Sequence, residues 1–152
     1  MGYQTTYTPK YGVWMKTKPF NQAVHDACDP VARDAVIEML RVKWGWDARP
    51  FDKYKVDLIV ENEFMVPIFY AEVEMRNWED CPFNSIHVPG RKKKLFDNDM
   101  PTTYFVVSKS LKSMWYCKAK DILDSPLVEI KNKEVPEGEY FYDVPIQMWR
   151  KL

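Results

Sequence analysis

The chain has 152 residues, enough for one domain with its own core, and its 46% apolar, 29% charged and 15% aromatic content excludes a disordered or fibrous polymer. Lys plus Arg and Asp plus Glu number 22 each, so no net field steers it toward a polyanion and every charge argument is local. The three cysteines, Cys28, Cys81 and Cys117, stand apart with no second Cys or His at ligand spacing and read as reduced thiols.

The opening residues are polar and aromatic rather than of signal-peptide type, and no apolar run approaches the ~20 residues of a membrane helix. The expectation is an intracellular, cytoplasmic protein without membrane contact. No repeat or linker divides the chain, so one domain is expected: an irregular arm over residues 1–28, a core over 29–122 and a C-terminal extension over 123–152. A short helix around 21–27 fits within the arm.

A longer helix is expected to open at Asp29 and Pro30, where Asp caps free N–H groups and Pro lacks the donor that would go unpaired. Ala32, Ala35, Val36, Met39 and Leu40 repeat at three- and four-residue spacing, and Gly45 supplies a left-handed stop after Trp44. Two strand-like runs follow at residues 54–61 and 64–75, with Asn62-Glu63 as the turn of a hairpin and Pro67 marking an edge or a bulge. Residues 77–89 read as a loop, and 91–97 as about two turns of basic helix. Strands are expected at 102–108 and 114–122, turning at Leu111-Lys112, and extended pieces at 127–131 and 140–144. The fold class is α/β (α+β), a mixed central sheet flanked by helices.

The carboxylates on the hairpin are the most informative feature. Alternation along residues 64–75 places Glu72 and Glu74 on one face with Ile68 and Tyr70. An even-numbered loop brings Asp57 to that same face, whereas an odd one turns it away. Like charges crowded on a partly apolar face need a compensating cation, and hard oxygen ligands select Mg2+ or Mn2+. The simpler alternative is an acidic strand facing solvent and paired with Lys53, Lys55 and Arg76.

Asp57, fifteen positions before Glu72 in Ala71-Glu72-Val73-Glu74-Met75-Arg76, after a capped helix containing Glu38, resembles the PD-(D/E)XK core of restriction endonucleases and Holliday-junction resolvases. The likeness covers roughly residues 29–122 and implies a restriction-endonuclease-like fold. It implies Glu38, Asp57 and Glu72 as metal ligands, with the main-chain oxygen of Val73 as a further one. Glu74 departs from the pattern, since the family usually has Lys there. The resemblance makes Glu74 a group that orients or deprotonates the nucleophile, and leaves Lys55 or Lys94 to supply the displaced lysine charge.

The run Arg91, Lys92, Lys93 and Lys94 reads as a patch gripping a nucleic-acid backbone at a helix start, or equally as a solvated surface or a partner for the acidic cluster. His87 and His25 are weaker candidates for a base. The implied function is a Mg2+-dependent nuclease hydrolysing DNA phosphodiester bonds, with endo or exo mode and a homodimer left open. The alternative is a nuclease-like module that has lost its lysine and binds nucleic acid or a protein without cutting.

Overall fold

Ala32, Val36 and Leu40, spaced four apart, are fully buried, and this stripe sets how the main helix lies on the sheet. The computed structural model describes residues 4–8, 13–17, 22–51, 56–131, 133 and 136–152, with side chains from residue 30 onward. Strands β1 (Gln4–Thr8) and β2 (Val13–Thr17) form an antiparallel ribbon, and helix α1 runs Gln22–Trp44. The arm expected to be irregular is therefore a hairpin followed by the first turns of α1. β1 carries three threonines and β2 three consecutive apolar residues, so neither shows the alternation by which periodicity finds a strand.

Pro30 lies inside α1 rather than at its start. The preference for Asp before Pro at a helix opening is a local energy of about 1 kcal/mol, which the continuing helix outweighs. The C-terminus follows expectation: Gly45 has φ +70°, and its N–H donates to Arg41 O at 2.9 Å, closing the last turn with a left-handed residue.

After α1 come β3 (Asp47–Pro50), β4 (Leu58–Glu61), β5 (Pro67–Arg76) and β6 (Ser85–Pro89), then a 3-10 helix over Gly90–Leu95. The chain continues through β7 (Thr102–Ser108), β8 (Met114–Lys118), α2 (Ala119–Leu123), β9 (Leu127–Ile130), β10 (Glu139–Pro145) and the short β11 (Arg150–Lys151). The strand expected over 114–122 is thus divided between β8 and α2. The segment expected to be all loop contains β6, whose partner β10 lies more than fifty residues away, and the basic helix is a single 3-10 element.

Two sheets result. The larger has the order β11-β8-β7-β5-β4-β3, in which β5 and β7 are parallel and the other neighbours antiparallel; the smaller has the order β6-β10-β9. The class is α+β with a mixed sheet. Helix α1 covers one face of the large sheet through Leu58, Val60, Ala71, Val73, Phe105 and Val107. The opposite face meets the small sheet and α2, burying Tyr104 and Val106 against Ile86, Val88, Tyr142 and Val144. Helices alone were expected to flank the sheet, but on this side a second sheet does most of the covering.

Parallel β5 and β7 cannot be joined by a tight turn, so the chain must cross over between them. Here the crossover consists of β6 and the 3-10 helix. It carries the basic run across the inner face of β5, the face that presents Glu72 and Glu74.

Candidate active site

The β4–β5 connection decides where Asp57 stands. Residues 62–66 form the loop, in which Asn62 Oδ1 accepts the N–H groups of Phe64 at 2.9 Å and Val66 at 3.1 Å, and Met65 takes a left-handed φ of 63°. Five residues are an odd number, which alone would turn Asp57 to the wrong face. A bulge where Val60 pairs with Phe69 but Glu61 pairs with Pro67 takes up the extra residue and restores the parity. Pro67 thus stands at the expected bulge.

The resulting register sets Leu58 against Ala71, so Asp57, one residue earlier, stands level with Glu72. Asp57 Oδ2 accepts the main-chain N–H of Val73 at 2.8 Å, which fixes the carboxylate beside the second acid. A two-residue turn at Asn62-Glu63 would have kept the face but slid Asp57 four residues away from Glu72.

Glu72 is only 5% exposed. Its Oε1 accepts Lys92 Nζ at 2.9 Å, while Oε2 is buried with no hydrogen-bond partner among the described residues. Burial pushes its pKa up to about 7, with the charge of Asp57 adding to the rise and Lys92 opposing it. An orphaned buried carboxylate oxygen beside a second carboxylate is an arrangement that a hard cation satisfies.

Glu74 faces the same layer but is committed elsewhere. Arg76 Nε lies 3.1 Å from its Oε1, and the buried Tyr104 hydroxyl donates to its Oε2. Against its own burial, Arg76, Lys92 and Tyr104 hold its pKa below the usual carboxylate range. Arg76 also donates to the main-chain oxygen of His87, tying the end of β5 to β6.

The basic run divides. Arg91 Nη1 pairs with Glu139 Oε1 at 2.8 Å and Lys92 pairs with Glu72, whereas Lys93 and Lys94 make no ion pair among the described residues. Lys92, read from sequence as part of a run that grips nucleic acid or, equally, is a solvated surface or partners the acidic cluster, therefore occupies the place beside Glu72 expected of Lys94 or Lys55. Lys94 is exposed, and Lys55 lies outside the described residues. A six-residue 3-10 helix with two of its four cations neutralised is also a poorer phosphate cradle than the expected α-helix start.

Glu38 does not join this group. It lies on α1, on the far side of the sheet, with its side chain 58% exposed and paired with Arg41. Among the described residues no three His, Cys, Asp or Glu side chains gather at metal-binding distance. The expected convergence of Asp57, Glu72 and Glu74 is thus a pair, Asp57 with Glu72, and Glu74 is turned toward Arg76 and Tyr104.

Sequence reasoning left Tyr104 in the core and passed over Glu139 and Asp143. Asp143 Oδ1 lies 3.1 Å from His87 Nε2 across the β6–β10 pair. The only sequence signal for Tyr104 and Glu139 is polar atoms within apolar strands, which cannot name their partners. The described residues contain no helix long and apolar enough to cross a membrane. The chain matches no protein-family model, no curated protein and no solved structure. What it does is therefore read from its own residues.

Proposed function

We propose that this chain is a divalent-metal-dependent nuclease that hydrolyses DNA phosphodiester bonds, with the restriction-endonuclease-like core that its sequence resembles. The observation that carries this reading is Asp57 level with Glu72 on adjacent strands, with Lys92 Nζ 2.9 Å from Glu72. A helix, an antiparallel set of strands bearing both acids and then a parallel β7 support it further.

Asp57 and Glu72 would hold the metal. The donor set fits Mg2+ or Mn2+: its oxygens are hard, one of them has no hydrogen-bond partner, and Mg2+ needs only one or two protein carboxylates when water and substrate fill the other positions. Bound there, the ion supplies neutralisation of the charge that builds on a phosphodiester under attack. Lys92 contributes a second positive charge at the same place. It balances Glu72 in the free protein and faces a phosphate once substrate arrives.

Glu74 has both oxygens held by Arg76 and Tyr104, so in this reading it positions β5 rather than removing a proton. Lys93 and Lys94, which make no ion pair among the described residues, are available to backbone phosphates, a contact that would weaken with salt. The test is incubation of the protein with supercoiled plasmid, linear duplex, branched and single-stranded DNA in EDTA, Mg2+ or Mn2+. Metal-dependent cutting that Glu72→Gln abolishes is the expected result. Absence of cutting in every polymer and metal would overturn it.

The runner-up is a module that binds nucleic acid without cutting. It is favoured by the internal commitment of Glu74, at the position where the resembled family usually has Lys. It predicts DNA binding in EDTA that Glu72→Gln leaves unchanged.

A further inference from the structure

Along the face of β5 that carries Glu72, Arg76 stands four residues further on, about 13 Å away at ~3.3 Å per strand residue. There it lines a cavity of about 190 Å3 whose walls include Trp78, Phe83 and Ile86, with Ser85 and His87 contributing polar atoms. Arg76 Nε is buried and paired with Glu74 Oε1 at 3.1 Å, which fixes the guanidinium at the cavity wall. The cavity thus combines two aromatic rings with a guanidinium on its wall.

Phe83 is 64% exposed, yet the loop around it is pinned. Asp80 accepts the Cys81 N–H at 2.9 Å and Lys151 Nζ at 2.8 Å, and Asn84 O accepts the Ile146 N–H at 2.8 Å. An exposed ring on a fixed loop, sharing a cavity wall with an indole, is a platform on which a flat heterocycle stacks.

We infer that this cavity receives one nucleobase of the strand whose phosphate lies at Glu72 and Lys92, an inference that rests on the nuclease reading above. The base stacks on Phe83 and Trp78, and Arg76 meets an acceptor on its edge. Guanine, with O6 and N7 side by side, suits a guanidinium best. A strand whose phosphate sits at Glu72 passes the cavity within a few nucleotides, so base capture there would set which bond is cut.

The test is fluorescence anisotropy in EDTA with single-stranded 12-mers rich in G, A, C or T and with an abasic 12-mer of equal charge. Wild type is compared with Phe83→Ala, an exposed position whose truncation leaves the core intact, and wild-type cleavage in Mg2+ is assayed in parallel. Wild type is expected to prefer G-rich over abasic strands by roughly fivefold or more, and Phe83→Ala to bind both alike. Equal binding of all four bases would overturn the assignment of Arg76. If wild type cuts in Mg2+ but Phe83→Ala keeps full base-dependent affinity, the cavity proposal falls and the nuclease reading stands. Base-dependent binding without cutting would sustain the cavity and remove the hydrolase, and neither binding nor cutting would remove both.

Discussion

Lys92 Nζ lies 2.9 Å from Glu72 Oε1, although twenty positions separate the two residues in sequence. The crossover between two parallel strands makes the pair possible, because it carries the basic run back over the strand that bears the acid. A cation from the crossover therefore stands beside Glu72, while the β5 position from which a Lys was expected holds Glu74.

Removing that cation should be costly. Lys92→Met leaves Glu72 buried beside Asp57 without compensation, and a loss of about 2 kcal/mol is expected, below the value for a fully buried pair because Lys92 is partly exposed. In a Glu72→Gln background the same change should cost less than ~1 kcal/mol, since the neutral amide needs no counter-charge. Urea denaturation of the four proteins reads this coupling, and additive effects would show that the pair is not energetically real.

Stability of the metal-free protein should fall as pH rises through neutrality. The folded-state pKa of Glu72, about 7, lies above its ordinary value of 4.5, so folding favours the protonated acid. That contribution is complete below about pH 4.5 and is lost as pH climbs through 7, by an amount on the order of 2–3 kcal/mol. Urea midpoints in EDTA at pH 5.5 and 8.5 should separate for wild type and lie closer together for Glu72→Gln. Parallel pH profiles for the two proteins would refute the assignment.

Divalent cations should stabilise the fold through the same carboxylates. Mg2+ or Mn2+ at a hundred times its dissociation constant adds ~2.7 kcal/mol, worth several degrees of melting temperature for a chain of this size. Calorimetry with Mn2+ should show this rise in wild type and none in Glu72→Gln. An equal rise in both would place the ion elsewhere.

Glu38 and Glu74 should behave oppositely. Glu38→Ala removes an exposed pair on α1 and should shift stability by no more than ~0.5 kcal/mol, with Mn2+ binding unchanged. Glu74→Ala deprives Tyr104 and Arg76 of their shared acceptor and should cost ~2–3 kcal/mol. Thermal melts and Mn2+ titrations of both variants test the ranking. A Glu38→Ala variant that lost Mn2+ affinity would return that residue to the metal site.

Period and punctuation marked much of this chain in advance. The apolar stripe of α1, its stop at Gly45, the bulge at Pro67, the strand over residues 102–108 and the shared face of Glu72 and Glu74 all follow from local backbone geometry, which a sequence carries directly. The N-terminal ribbon was missed because neither β1 nor β2 alternates apolar with polar residues, and β6 because its alternation lasts only from Ser85 to Val88, inside a segment punctuated by Pro82 and Pro89.

What only the tertiary structure decided is which charge meets which. The loop over residues 62–66 and its compensating bulge set Asp57 level with Glu72, and one residue more or less would have turned it to the other face. The crossover chose Lys92 over its neighbours, and the β10 strand brought Glu139 to Arg91. A sequence lists charges without their distances. In a partly buried layer, where each unpaired charge costs several kcal/mol, those distances determine which carboxylate is left with an oxygen for a cation.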